Sequence, residues 1–165
     1  MYKYHETETN FERVKKGLCR CDSIGKVYDL QSLVKDDLIL EPNSDSPLST
    51  PKVGQSRGEN PPRGNSKWDR FIYAVSLSYN IHVAPDGHRP NKESVKHETL
   101  FHNEDVLAAG ELWIDNGIVK DLNDFSGSYK TDGELEANPE FGRAILKAIE
   151  KFNLPVAPRL LERLR

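Results

Sequence analysis

The residues best suited to chemistry lie in one stretch of the second half of the chain. A histidine can act as a general base near neutral pH, and carboxylates and hydroxyls can move protons or hold a substrate. A lysine can offset negative charge on a ligand, and a glycine lets the backbone approach a ligand closely. The candidate catalytic residues are His97, Thr99, Glu111, Ser126 and Tyr129, and the candidate ligand-binding residues are Gly110, Gly127 and Lys130.

The first two candidates belong to the segment HETLFH, residues 97–102. Side chains two positions apart on an extended chain point to the same side, so this spacing predicts that His97 and Thr99 share a pocket. The structural alternative is that His97 hydrogen-bonds a backbone group and Thr99 stabilises a turn. Only the first interpretation makes His97 a general base.

Residues 106–130 form the centre of the predicted fold. Asn116-Gly117 separates the segments ELWID and IVKDL, and this dipeptide supplies the two positive-φ positions of a two-residue type I′ turn. The stretch is therefore predicted to be a β-hairpin, with the remaining candidates at its two ends. Gly110, after two alanines, is expected to permit close backbone approach, and Gly127, between two serines, is expected to adopt positive φ.

The hydrophobic pattern predicts an α+β fold. Apolar and β-branched residues alternate in two adjacent hairpins, at residues 71–84 and 111–122, which predicts a mainly antiparallel sheet. The segment NPE at residues 138–140 combines an N-cap side chain, a proline at the first helical position and an acid near the positive end of the helix dipole. Apolar residues recur at helical spacing after it, so an amphipathic helix over residues 139–152 is expected to pack on one face of the sheet.

A second amphipathic segment follows that helix. Residues 158–165 place three leucines among three arginines. This pattern predicts a final amphipathic turn, which could dock on a partner or a membrane. Covering the domain's own core is the commoner use of such a segment.

Length and composition indicate one domain. A chain of 165 residues can bury a core without metal or disulfide staples, so residues 1–165 are predicted to form a single domain. Residues 42–66 interrupt it with five Pro, five Ser and three Gly in 25 residues. Such a segment buries too little apolar area to offset its ordering entropy, so it is predicted to be a mobile insertion.

The charge and hydropathy of the sequence limit which binding partners and which cellular location are expected. The net charge is −3 with 30% charged residues, a balance that does not indicate a nucleic acid or an anionic membrane as the general partner. No apolar run approaches the ~18–20 residues that span a bilayer, and the first residues contain no apolar signal segment. The chain is therefore expected to be soluble and cytoplasmic, while a non-classical secretion route of the kind that bacterial effectors use stays open.

The cysteines favour neither a disulfide nor a metal. Cys19 and Cys21 are one residue apart, too close for an unstrained mutual bridge, and a zinc site normally needs four ligands in paired spacings. Both are expected to be free thiols. No metal ligand is predicted, and the identity of any cofactor stays unknown.

Four motifs occur in a characteristic order along the chain. They are SKW-x₂-FIYAVS at residues 66–76, His97-x-Thr99-Leu100, LAAGEL followed by an NG turn, and SG-x-Y at residues 126–129. With the amphipathic helix after them, they resemble the core of the plant IQM proteins, which are calmodulin-binding proteins with an IQ motif, and related microbial modules of the AGE…SGHY type. The resemblance covers approximately residues 25–152 and implies a binding or regulatory role.

The chain departs from the IQM pattern at positions that bear on function. No IQ-type basic helix precedes the core, so calmodulin is not an expected partner. Ser128 replaces the histidine of SGHY, and Thr131 stands where a proline would follow, so chemistry that needs a second histidine is not carried over. The residues that the resemblance does carry over are His97, Thr99 in place of a serine, Gly110, Ser126, Gly127 and Tyr129.

Two classes of function follow. The first is an IQM-like binding or regulatory module, whose polar site around the central hairpin holds a protein or a small nucleotide-like ligand. The second is a small effector-like or toxin-like enzyme acting on a nucleotide, ADP-ribose or an RNA phosphodiester, with His97 as general base and Tyr129 or Ser126 holding the substrate. Nucleic acid is a partner only in the second class, and neither class involves a membrane. The incomplete catalytic set favours the first.

Overall fold

The computed structural model describes residues 1–5, 69–85, 96–115 and 117–165. Cys19, Cys21, the predicted insertion at residues 42–66 and Asn116 lie outside these ranges. The described residues contain the strands of both predicted hairpins, all eight candidate site residues and the helices that follow them.

In the described part of the chain, four strands form one antiparallel sheet. They are β1 Asp69–Ser76, β2 Ile81–Pro85, β3 Val106–Asp115 and β4 Ile118–Leu122. Their order is β2-β1-β3-β4, so the two hairpins lie side by side and the long strands β1 and β3 pair at the centre. The predicted α+β fold with a mainly antiparallel sheet is confirmed.

The β3–β4 connection is the tight hairpin that the sequence predicts. Asp115 pairs with Ile118, which leaves two residues between the strands, and Gly117 has a φ of 77°. Positive φ carries no side-chain clash at glycine, and a two-residue hairpin turn of this kind requires it. The two-residue turn therefore fixes the register in which β4 pairs with β3.

Three helices follow the sheet: α1 Glu134–Ala137, α2 Pro139–Phe152 and α3 Pro158–Leu164. The α2 helix begins as predicted, because the Asn138 side chain accepts a hydrogen bond from the Glu140 backbone N–H and caps the first turn. Its apolar stripe packs against one face of β1 and β3. The buried residues of this stripe are Phe141, Ala144, Ile145, Ala148 and Ile149.

The α3 helix adds leucines to the same core. Leu160 and Leu164 are buried in it, so these two residues of the final amphipathic segment cover the domain's own core. The segment before α3 lies along β4, where Val119 donates its N–H to the Pro155 carbonyl and Ala157 donates to the Val119 carbonyl, each at 2.9 Å. This pairing occupies the start of the outer edge of β4.

Shorter elements cover the opposite face of the sheet. The 3₁₀ helix His97–Phe101 lies against β1, β2 and β3, and Leu100 and Phe101 join Tyr129 in a second apolar cluster. The His82 ring stacks on Phe101 with ring centroids 4.2 Å apart. His97, Thr99 and Tyr129 lie on this side of the sheet.

The N-terminal residues connect β3 to the loop and helix beyond β4. Tyr2 and Val106 exchange backbone hydrogen bonds of 2.7 and 2.9 Å, and the Tyr2 hydroxyl donates to the Glu134 carboxylate at 2.6 Å. The His5 N–H donates to the Ser128 carbonyl at 2.7 Å. Residues 1–5 therefore fix the position of the loop that carries half of the candidate site residues.

Candidate functional site

Gly110 lies where the chain crosses over the central strand. After β4, the backbone of Asn123 and Asp124 passes so close that a Cβ atom on Gly110 would lie 2.1 Å from the Asn123 carbonyl oxygen. No side chain fits in that space, so the expected close backbone approach is confirmed. What approaches Gly110 in the structure is the protein's own backbone.

Asn123 holds this crossing in place. Its Oδ1 accepts hydrogen bonds from the backbone N–H groups of Glu111 (2.8 Å) and Phe125 (3.0 Å), while its own N–H donates to the Glu111 carbonyl (2.9 Å). The Tyr73 hydroxyl donates to the Asn123 carbonyl at 2.8 Å. An asparagine that binds the backbone two residues further on forms a turn, so Asn123 directs the chain out of β4.

Glu111 is buried with partners on both carboxylate oxygens. Its Oε1 accepts a hydrogen bond from Asn123 Nδ2 at 3.1 Å, and its Oε2 lies 3.4 Å from Nη1 of Arg70. The exposed fractions of Arg70 and Glu111 are only 6% and 5%. Removing one member of such a pair leaves an unpaired charge in the interior, which lowers the free energy of unfolding by about 3–5 kcal/mol. Glu111 therefore links Arg70 and Asn123 in one buried polar cluster.

The segment that carries His97 and Thr99 is helical, so the prediction that both residues share a pocket on an extended chain is wrong. The Thr99 hydroxyl oxygen accepts a hydrogen bond from the Lys96 N–H at 3.2 Å and closes the start of the 3₁₀ helix. Side chains two residues apart on such a helix diverge. Local capping thus overrides the extended conformation, and Thr99 stabilises a turn.

His97 contacts the central strand from this helix. Its Nε2 lies 2.8 Å from the Gly110 carbonyl oxygen. Because a carbonyl oxygen only accepts hydrogen bonds, Nε2 carries the proton, and the basic nitrogen of the neutral ring is then Nδ1. His97 therefore binds the backbone as the structural alternative predicted, and it does so one residue before Glu111.

Ser126 and Tyr129 belong to residues 123–131, which we call the exit loop because the chain leaves β4 through it. The Ser126 hydroxyl oxygen accepts a hydrogen bond from the Tyr129 N–H at 3.3 Å, and the Tyr129 hydroxyl donates to the Glu104 carbonyl at 2.9 Å. Each residue is only 1% exposed. Burial, and secondarily the negative charge of Glu98, raise the pKa of the Tyr129 hydroxyl well above its ordinary value. This hydroxyl therefore stays a hydrogen-bond donor.

Gly127 and Lys130 are the exposed candidates in the exit loop. A Cβ atom on Gly127 would meet nothing within 4 Å, and its φ is not positive, so the expectation of positive φ is wrong. The left-handed conformation falls on Lys130 instead, with a φ of 52°. The loop reverses after Tyr129 rather than at the glycine between the serines.

Two buried polar contacts were not predicted from the sequence. Thr131, which is 0% exposed, donates from Oγ1 to the Asp124 carbonyl at 2.7 Å and lies 3.1 Å from the Ala109 carbonyl oxygen. The Ser128 hydroxyl donates to the Glu98 carboxylate at 2.6 Å. The Asn-Asp pair after β4 is a sequence typical of turns and could have indicated the turn that Thr131 closes. No local pattern could have indicated the second contact, because Glu98 and Ser128 are thirty positions apart.

The structure thus divides the eight candidates into three groups. His97, Gly110 and Glu111 are brought together where the 3₁₀ helix meets the central strand. Thr99, Ser126 and Tyr129 are buried and hold turns and loops closed. Gly127 and Lys130 lie exposed on the exit loop.

The described ranges contain neither a metal-binding cluster nor a helix that could span a membrane. Within them, no group of three or more His, Cys, Asp and Glu side chains is arranged to hold a metal ion, and no helix is long and apolar enough to cross a bilayer. Comparisons of the whole chain with protein-family models, with curated proteins and with solved structures find no match.

Proposed function

We propose that this protein is a binding or regulatory module, similar to the core of the IQM proteins, rather than an enzyme. One observation supports the proposal most directly: the candidate catalytic hydroxyls are used by the fold. The oxygens of Thr99 and Ser126 accept hydrogen bonds from backbone N–H groups, and the Tyr129 hydroxyl donates to a backbone carbonyl. A group that attacks or holds a substrate must be reachable by it, and all three are buried.

The alternative is a small effector-like or toxin-like enzyme acting on a nucleotide, ADP-ribose or an RNA phosphodiester. It is favoured by the position of His97, which binds the Gly110 carbonyl one residue before Glu111, whose carboxylate pairs with Arg70. In this alternative Nδ1 of His97 is the general base, while Ser126 and Tyr129 no longer serve as substrate contacts, because both are packed inside the protein.

The first test compares the thermal stability of Tyr129→Phe with that of Tyr79→Phe. Tyr129→Phe removes a partly buried hydrogen bond to the Glu104 carbonyl, which costs about 1 kcal/mol, and each kcal/mol lowers the melting temperature by roughly 2–4 °C. Tyr79 is the matched control, because its hydroxyl makes an exposed contact with Lys147. We expect Tyr129→Phe to melt several degrees lower and Tyr79→Phe to melt like the wild type.

The same proteins, together with His97→Ala, are then incubated with NAD⁺, ADP-ribose and an RNA oligonucleotide. We expect no product above that of a heat-denatured sample. Turnover of any of these compounds by the wild type would contradict the proposal. If His97→Ala then abolishes the turnover without lowering the melting temperature, His97 takes part in the chemistry.

A further inference from the structure

A cavity of about 640 Å³ lies between β4 and α3. Its volume falls in the range of small-molecule sites. None of the eight candidate residues predicted from the sequence lines it. The lining residues are Lys120, Asp121, Arg159, Leu160, Glu162 and Arg163, and we call this cavity the β4–α3 groove.

A β-bulge shapes one wall of the groove. Trp113 pairs with Asp121, whereas the next residue of β3, Ile114, pairs with Val119, so Lys120 is an extra residue in β4. Neighbouring residues of a regular strand point to opposite faces, but a bulge bends the strand and redirects its side chains. This distortion explains how the consecutive residues Lys120 and Asp121 both line the groove.

Arg163 presents a guanidinium group that is already fixed in place. Its Nη1 lies 3.0 Å from Asp121 Oδ1, and its Nη2 donates to the Leu122 carbonyl. A guanidinium has five N–H donors in a planar fork, so these two contacts leave donors for a ligand. A cation held in one orientation loses little conformational entropy when an anion binds.

The remaining charges give the groove a positive excess. Lys120 and Arg159 form no ion pair with any described residue, and Asp121 is neutralised by Arg163. The lining therefore holds three cations against two acids, and once Arg163 and Asp121 are paired with each other, Lys120 and Arg159 stand against Glu162. Phosphate groups suit such a set, because a guanidinium binds them through two parallel hydrogen bonds and a lysine adds a point charge.

We propose that the β4–α3 groove binds a small ligand that carries a phosphate group. The proposal rests on the proposed function, because it names the ligand class of a binding module. A protein partner fits less well, since the core of a protein interface is apolar and rich in aromatic residues, whereas the apolar lining of this groove is Leu160, which is itself only 3% exposed.

The test is a titration of the ¹⁵N-labelled full chain with ADP, followed by NMR. We expect saturable shifts in the amides of residues 119–122 and 159–163, and binding that weakens as salt is added. Arg159→Gln should weaken ADP binding about tenfold, because it removes a charge-assisted contact. Arg159 is exposed, so this variant should melt like the wild type. The matched control is Arg143→Gln, which removes the same charge from an exposed position on α2 and should bind ADP normally.

Four outcomes would overturn the proposal. The first is the absence of saturable shifts along β4 and α3, and the second is equal weakening by Arg143→Gln and Arg159→Gln. The third is tighter binding of a hexaglutamate peptide than of ADP at the same amides, which would identify an acidic protein segment as the ligand. Shifts confined to residues 97–111 would also refute the groove while leaving a binding module in place. Turnover of ADP would instead contradict the proposed function.

Discussion

The exit loop and the β4–α3 groove are both polar, but they use their polar groups in opposite ways. In the exit loop, Ser126, Tyr129 and Thr131 are buried and each makes hydrogen bonds within the chain. In the groove, Arg159 is exposed and forms no ion pair with a described residue. A dense set of polar residues therefore does not by itself mark a site.

The difference has an energetic basis. A buried polar group must be paired because leaving it unpaired costs about 1–3 kcal/mol, so polar residues that enter the interior become part of the structure. Exposed charges pay no such penalty and stay free to bind, while their ion pairs add at most about 1 kcal/mol to stability. Substitutions should accordingly affect stability in the exit loop and ligand binding in the groove.

The largest effect is expected at Gly110, where the exit loop crosses the central strand. In Gly110→Ala the new Cβ would lie 2.1 Å from the Asn123 carbonyl oxygen and 3.0 Å from the Asp124 Cα, so the backbone itself must move. We expect the free energy of unfolding to fall by roughly 3 kcal/mol. Urea denaturation followed by circular dichroism measures this change.

Gly127→Ala is the matched control for that substitution, because a Cβ there meets nothing within 4 Å and φ is not positive. It should change the free energy of unfolding by less than about 0.5 kcal/mol. Similar losses in the two variants would show that the crossing over Gly110 is not a tight backbone contact.

A smaller effect is expected when the pH rises. Burial raises the pKa of the Tyr73 and Tyr129 hydroxyls above their ordinary value of 10.0. Above pH 10, both groups therefore stay protonated in the folded protein but ionise in the unfolded chain. The stability from these groups is complete below pH 10 and declines above it, because the unfolded state then binds fewer protons. Urea midpoints between pH 8 and pH 11 should show this decline, and Tyr129→Phe should make it shallower.

The stability of the wild type and of Tyr129→Phe below pH 9 serves as the control for this comparison. Below pH 9 both proteins should show the same dependence of stability on pH, since tyrosine is protonated there in the folded and the unfolded chain. If the two curves stay parallel up to pH 11, ionisation of Tyr129 does not oppose folding.

The smallest effect on stability is expected in the groove. Arg163 and Asp121 have side chains that are 49% and 45% exposed, so Arg163→Gln should lower the free energy of unfolding by less than about 1 kcal/mol. The same substitution should weaken ADP binding, because it removes the fixed guanidinium. Urea denaturation and the NMR titration measure the two effects on one protein. A loss of stability as large as that of Gly110→Ala would show that Arg163 mainly stabilises the fold.

Local patterns in the sequence determined much of the fold. The Asn-Gly dipeptide predicted the central hairpin, and the segment at residues 138–140 predicted where α2 begins, because turn and capping preferences act within a few residues. The alternation of apolar residues predicted the antiparallel sheet for the same reason. The close approach at Gly110 was also predicted, since two alanines and a glycine leave little side-chain volume.

Only the tertiary structure decided which polar residues are used by the fold and which stay free. The sequence shows the hydroxyls of Thr99, Ser126 and Tyr129 but not their partners, which are set by loop geometry and by contacts with distant residues such as Glu104. It shows the charges of β4 and α3 equally well, yet the groove exists only because a bulge and a helix that are distant in sequence meet in space. Burial and pairing depend on contacts between residues far apart in the chain, so residue types and local spacing do not predict them.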